Sequence, residues 1–261
     1  MLLITINDLP TILALLLQGD GSGLIHPPTD ITSIAKLLLR WAHFVAGIAW
    51  IGLLYFFNLV NVPLMKKLDA PTKGKVIPEM MPRALWYFRW GAVITVLVGL
   101  AYYAMYILRT DAVNAGLSTW GELGKWLVVV VIAWVIIYAL IQQVSWPVGR
   151  GPILAVLITI VAVVMSWVVV YLLGSPGMSN KTLSIGIGGG LGIIMLLNVW
   201  GIIWPAQKRI IAWTKENAEK LPPEAATLAR RAFLASRTNT WLSLPMLFFM
   251  AASHDYIWFA Q

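Results

Sequence analysis

The sequence lacks cysteine entirely and carries little charge. Without cysteine it can form no disulfide, no thiolate metal site and no iron–sulfur cluster held by cysteine. Only 11% of its 261 residues are charged and 59% are hydrophobic, whereas soluble domains carry roughly 25% charged residues. This composition is typical of a polytopic membrane protein.

Histidine is also rare, and the chain has only three: His26, His43 and His254. A metal or haem site with nitrogen ligands must therefore use one or more of these three. His26 lies in a proline-rich stretch, where a solvated loop histidine is the ordinary case. A copper or zinc site with His26 as a third ligand stays open as an alternative.

Long apolar runs are plentiful, and six of them reach the roughly 20 residues that cross a bilayer. The stretch Leu9–Gln18 is too short to cross and is predicted to be an interfacial helix on the outer surface. The predicted fold is all-α: an outer segment 1–34 followed by a six-helix transmembrane domain 35–261 with a basic cytoplasmic segment near 206–238. The six spans are predicted near 35–63, 84–109, 123–146, 152–174, 182–205 and 239–259.

The basic residues set the predicted orientation. With alternating loops, 5 of the 19 lysines and arginines fall outside and 14 inside, as the positive-inside rule requires. Both termini are then predicted to face outward, and Lys66–Pro82 to form a basic inner loop. The net charge of +8 reflects contact with anionic lipid rather than nucleic acid. The five outer residues are Lys36, Arg40, Arg109, Lys125 and Lys181.

The first span contains an ionisable side chain, His43, inside its apolar run. On a helix five residues fall nearly on one line, with Arg40 one turn before the histidine: His43, Gly47, Trp50, Leu54 and Asn61. An ionisable group in a membrane marks a site by default. The alternative is a histidine that only makes a hydrogen bond between packed helices.

His254 is the second candidate ligand, beside His43. It lies about one turn from the outer end of the last predicted span, and His43 about two turns from the outer end of the first. Two imidazoles at similar depth suit a b-type haem. We therefore predict haem b bound through iron by His43 and His254, with Trp50 and Gly47 in an apolar slot and Arg40 paired with a propionate.

Small residues also recur at helical spacing in two other spans. Gly91, Thr95 and Gly99 form one such stripe, and the glycines between Gly186 and Gly192 form another. Such stripes let neighbouring helices approach closely. A flat cofactor lying against the bare backbone of Gly186–Gly192 is the sharper alternative.

The pattern RWxHxxxGIxWIGxxY over residues 40–55 resembles the first helix of the membrane domain of bacterial membrane-bound urate oxidases. The resemblance continues, in the family's order, through Arg89–Gly91, Asn198 and Pro205, and through SRxNxxLxLP at 236–245 to His254. It covers most of the chain.

The resemblance implies an oxidoreductase of the bacterial inner membrane. The family hydroxylates urate and passes the electrons to a cytochrome c domain rather than to oxygen. This sequence contains no Cys-x-x-Cys-His motif, so the expected acceptor is a separate cytochrome c or another electron-transfer subunit. The alternative function is an accessory or structural subunit of a larger respiratory complex.

Overall fold

The computed structural model describes residues 27–144, 151–174 and 177–254, together with Pro10, Ala14 and Phe259. These residues are largely helical and include no strand, which confirms the all-α prediction. The chain divides into two compact units, Met1–Leu38 and Leu39–Gln261, and every contact discussed below lies within the second. Six long helices are described: α1 Ile31–Lys67, α2 Ala70–Asn114, α3 Thr119–Val144, α4 Gly151–Gly174, α5 Asn180–Asn217 and α6 Glu224–Ala252.

The helices α1 to α5 are each long and apolar enough to cross a membrane. The first half of α6 is instead polar, with Arg230, Arg231 and Arg237. The membrane helix bundle is thus confirmed, while six passes and outward termini stay predictions. The last predicted span, 239–259, lies in α6 only as far as Ala252. The predicted interfacial helix Leu9–Gln18, apart from Pro10 and Ala14, lies outside the described residues.

The prediction of an inner loop over Lys66–Pro82 is wrong, because α2 already begins at Ala70. The side chain of Asp69 caps the helix by accepting a hydrogen bond from the backbone N–H of Thr72 at 3.2 Å. A proline in the first turn is tolerated, since that turn has no intrahelical acceptor for its N–H. Pro78 and Pro82 lie within the helix, so tertiary packing outweighs their cost there.

Two of the helices widen into π-helical turns directly before a proline. In α1 the π-turn Phe56–Asn61 precedes Pro63, and in α5 the π-turn Val199–Ile203 precedes Pro205. A proline ring removes one hydrogen bond and crowds the carbonyl four residues earlier. The wider turn accommodates that crowding, and such turns often occur at functional sites.

The α5 glycines are packing positions. A Cβ on Gly190 would lie 3.0 Å from Val130 Cγ2 of α3, and one on Gly188 would lie 3.1 Å from the backbone oxygen of Met246 of α6. Neighbouring helices therefore occupy the space beside these glycines. The flat-cofactor alternative for this stripe does not fit, because no room for a planar group is left there.

Candidate functional site

The imidazole of His43 spans from α1 to α2. Its Nδ1–H donates to the backbone oxygen of Thr95 at 2.8 Å, and the direction follows because a carbonyl can only accept. Nε2 therefore carries the lone pair. Histidines that bind metals commonly hold the other ring N–H on a carbonyl in this way, so His43 has the hydrogen-bond arrangement of an axial ligand.

Gly99 provides the room for this ring. The position that a Cβ on Gly99 would take lies 2.8 Å from both Cε1 and Nδ1 of His43. No side chain fits at residue 99 without displacing the imidazole. The small-residue stripe of α2 thus leaves the space that the imidazole of His43 occupies.

The rest of the predicted line on α1 packs against the same stripe. Gly47 faces the side chain of Thr95 at van der Waals distance, and Trp50 packs against Gly91. Trp50 is only 1% exposed, and its Nε1 has no hydrogen-bond partner. Two patterns that the sequence shows separately therefore form one interface between α1 and α2.

Arg40 and His254 meet directly. Nη2 of Arg40 lies 2.9 Å from Nε2 of His254, and since a guanidinium has only donors, Nε2 accepts. Nδ1 of His254 lies 3.3 Å from the hydroxyl oxygen of Ser253. The arginine that was predicted to serve a haem propionate is here the hydrogen-bond partner of the second histidine.

We call Arg40, His43, Thr95, Gly99 and His254 the histidine end of the bundle. The hydrogen bond of His43 uses Nδ1 and leaves Nε2 for a ligand, whereas Arg40 already occupies Nε2 of His254. Within the described part of the chain no cluster of three His, Cys, Asp or Glu residues exists. His26 of the alternative copper or zinc site lies outside that part.

A second feature, which the sequence analysis missed, lies at the opposite end of α1. A cavity of about 390 Å³ opens there between α1, α2, α5 and α6. The signal was two asparagines three residues apart in an apolar run. We call the polar and charged residues of its lining the asparagine end: Asn58, Asn61, Lys66, Lys73, Gln207 and Ser236.

Comparison with known proteins identifies one family. The family model described as urate oxidase N-terminal matches residues 29–75 and 70–261. Neither a curated protein nor a solved structure matches the chain. The family match spans nearly the whole sequence and includes both ends of the bundle. The chain therefore belongs to the urate oxidase N-terminal family.

Proposed function

We propose that this chain is an integral-membrane redox protein that oxidises urate or a close relative, binds haem b through His43 and His254, and passes electrons to a separate cytochrome c. The observation that carries the proposal is the hydrogen bond from His43 Nδ1 to the Thr95 carbonyl. It fixes the tautomer in which Nε2 is free to ligate, inside a helix pair of a membrane bundle.

The proposal includes a topology. The chain crosses the bacterial inner membrane six times, with α6 as the sixth pass and both termini in the periplasm. The distribution of lysine and arginine supports this orientation. The histidine end then lies near the periplasm, where a cytochrome c is reached, and the asparagine end near the cytoplasm.

Each residue of the histidine end has a role in the proposal. Haem b supplies a one-electron carrier when bound. His43 and His254 would hold the haem, and Arg40, which here donates to His254, would pair with a propionate instead. Trp50 and Gly47 keep water away from the ring of His43 through their packing on α2.

The overall chemistry is compatible with such a carrier. If oxygen is not the acceptor, the hydroxyl oxygen added to urate comes from water, and two protons and two electrons leave. Cytochrome c accepts one electron at a time, so the two electrons depart in separate steps. A one-electron site between substrate and cytochrome matches this stoichiometry.

One observation favours the alternative of a structural or accessory subunit. The contact between Arg40 and His254 satisfies the second histidine without any ligand. In that reading both histidines are interhelical polar contacts and the chain binds no haem. A protein that binds haem absorbs visible light, whereas a structural subunit without haem is colourless.

The deciding experiment is an absorption spectrum of the detergent-purified chain with and without dithionite, followed by haem extraction. We expect a Soret band and a reducible b-type spectrum. His43→Ala and His254→Ala should each abolish them, whereas His26→Ala, the matched control, should retain them. A colourless protein, or a Soret band that survives loss of His43, contradicts the haem proposal.

The topology has its own test, for which the absence of cysteine is convenient. Single cysteines placed at Lys67 and at Asn114 provide one label on each predicted side. A membrane-impermeant thiol reagent added to intact spheroplasts should label Asn114→Cys and not Lys67→Cys. The reverse pattern, or equal labelling, contradicts the proposed orientation.

A further inference from the structure

Arg89 is a positive charge in the apolar part of α2. Its side chain is half-buried, and it makes no ion pair within the described part of the chain. A charge that enters a membrane helix is costly unless an acid, a backbone carbonyl or a polar headgroup compensates it. Since no carboxylate of the described residues serves Arg89, an anion from outside the chain could neutralise it.

The guanidinium of Arg89 is held in one orientation. Its Nε donates to the Leu85 carbonyl at 3.1 Å, and its central carbon lies 3.5 Å from the ring centroid of Trp204 and 5.5 Å from that of Trp200. The two terminal nitrogens make no hydrogen bond within the described residues, and both keep accessible surface. A fixed guanidinium with free terminal N–H groups is suited to bind a phosphate through two hydrogen bonds.

These free nitrogens belong to the wall of a groove between α2 and α5. The groove has a volume of about 370 Å³, and each helix contributes one charged residue to it, Arg89 from α2 and Lys208 from α5. Lys208 is exposed and, like Arg89, makes no ion pair within the described residues. No carboxylate is found among the described residues that line the groove. Charge complementarity therefore favours an anion.

The groove faces outward from the bundle. Leu85 and Phe88 of α2 and Ile203 of α5 are only 2%, 1% and 4% exposed, and they line the inner cavity at the asparagine end. Trp86, which follows Leu85 on the adjoining face of α2, lines the groove instead and is 52% exposed. The same two helices thus form the inner cavity on one side and the groove on the other. In a membrane protein the outer side meets lipid.

Aromatic side chains mark the depth of the groove in the membrane. Trp86, Tyr87 and Trp90 are 52%, 61% and 41% exposed, and exposed Trp and Tyr concentrate where a membrane meets water. The exposed ion pair of Arg83 with Glu79 lies earlier on α2, toward the water. The groove therefore lies at the level of the lipid headgroups, which favours a lipid over a soluble anion as its occupant.

We propose that this groove binds the phosphate of an anionic phospholipid. The terminal nitrogens of Arg89 donate to two phosphate oxygens, Lys208 adds its charge from the other helix, and an acyl chain lies against Trp86 and Ile211. Basic pockets between membrane helices commonly bind anionic headgroups in this way. The inference concerns a different face of the bundle from the two histidines, so it does not depend on the haem proposal.

The test measures lipid binding directly. Detergent-purified full-length protein is titrated with phosphatidylglycerol and, separately, with phosphatidylcholine of the same acyl chains, and native mass spectrometry counts the bound lipids. We expect one phosphatidylglycerol to bind at least tenfold more tightly than phosphatidylcholine. Glycerol 3-phosphate, which has the phosphate but no acyl chain, is the third probe and should not compete at equal concentration.

Variants with matched controls locate the site. Arg89→Gln should weaken phosphatidylglycerol binding by about tenfold, and Arg89→Lys, which keeps the charge without the paired donors, by less. Lys208→Met should weaken it by about threefold. Arg209→Met and Arg83→Gln remove charges that lie beside the groove but not in its lining, and they should leave binding unchanged. Thermal unfolding of each variant shows that it is folded.

Each outcome decides the proposal. Preferential binding of phosphatidylglycerol that depends on Arg89 and Lys208 supports it, whether or not the protein contains haem. Equal binding of the two lipids, or binding indifferent to both residues, overturns it and means that the Leu85 carbonyl and the Trp204 ring satisfy Arg89. An equal loss in Arg209→Met overturns the specific site in favour of a general basic surface. Competition by glycerol 3-phosphate overturns the lipid as occupant in favour of a soluble phosphate.

Discussion

The two ends of α1 treat their polar side chains in opposite ways. At the histidine end His43 and His254 each have a hydrogen-bond partner, in Thr95 and Arg40. At the asparagine end Asn58 and Asn61 each keep an oxygen without one. Because α1 contributes to both ends, the difference shows that one helix has its polar side chains paired near one terminus and partly unpaired near the other.

The physical consequence concerns stability. Satisfied buried polar groups hold a structure together, so changes at the histidine end should destabilise the ligand-free protein. An unsatisfied buried group costs free energy, so removing one should stabilise the protein. Substitutions that break a hydrogen bond at the histidine end should therefore have the opposite sign to one that removes only an unpaired atom at the asparagine end.

The largest expected effect comes from Gly99→Ala. Its Cβ would lie 2.8 Å from the His43 ring, so the ring must move and lose its bond to Thr95. We expect a loss of about 3 kcal/mol in the free energy of unfolding, from overpacking and the broken hydrogen bond together. Thermal unfolding in detergent measures it.

The control for that substitution is Gly52→Ala in α1, where nothing lies within 4 Å of the added Cβ. It should be neutral or slightly stabilising, since alanine favours helix over glycine. If both substitutions lowered the free energy of unfolding equally, Gly99 would not be the residue that provides space for the His43 ring.

At the other end, Asn61→Leu should stabilise the ligand-free protein by about 1 kcal/mol, because it removes an unpaired oxygen and keeps a side chain with the same number of heavy atoms. Asn58→Leu is the contrast: it also removes the donor to Leu54 and Ser236, so it should destabilise. Melting temperatures of both variants without ligand decide the point. A destabilised Asn61→Leu would mean that its amide is already satisfied.

A smaller effect is expected for Arg40→Met. The contact with His254 is exposed, so its loss should cost only about 0.5 kcal/mol. Arg40→Lys, which keeps a donor, should cost less still. If Arg40→Met lowered stability as much as Gly99→Ala, the Arg40–His254 contact would be structural rather than a latch that a ligand opens.

The smallest effect concerns the cap of α2, beside the asparagine end. Hydrogen bonds from Thr72 hold the pKa of Asp69 below its ordinary value of 3.8. A carboxyl with a lowered folded pKa contributes stability above its unfolded pKa and loses it as the pH falls through the folded value. We therefore expect a slight loss of thermal stability below about pH 4.

Asp69→Asn is the control for the cap, because asparagine also caps helices but does not titrate in this range. Its melting temperature should be less sensitive to acid than that of the unaltered chain. An identical acid response in both would mean that other carboxyl groups determine it.

Some of the site could be read from the residues alone. The line of His43, Gly47 and Trp50 and the stripe of Gly91, Thr95 and Gly99 are both visible as helical spacing. That the first packs on the second could not be read, because spacing defines the face of a helix and not the helix it meets. The contact of Arg40 with His254 joins residues far apart in the chain, and no local rule pairs them.

The asparagine end could not be predicted for a different reason. Sequence periodicity assumes 3.6 residues per turn, and the π-turn before Pro63 breaks that assumption. The spacing therefore put Asn61 on the line of His43, whereas the structure places it in the wall of the cavity. The same local rules predicted a loop from the prolines between Lys66 and Pro82, whereas these prolines lie in or beside helix.

The sequence by itself determined that this protein is a helical membrane bundle, because an apolar run in lipid must satisfy its own backbone hydrogen bonds. Only the tertiary structure decided which polar side chains find partners. Pairing depends on contacts between helices, and those contacts leave the oxygens of Asn58 and Asn61 unpaired while they satisfy Arg40 and both histidines of the bundle.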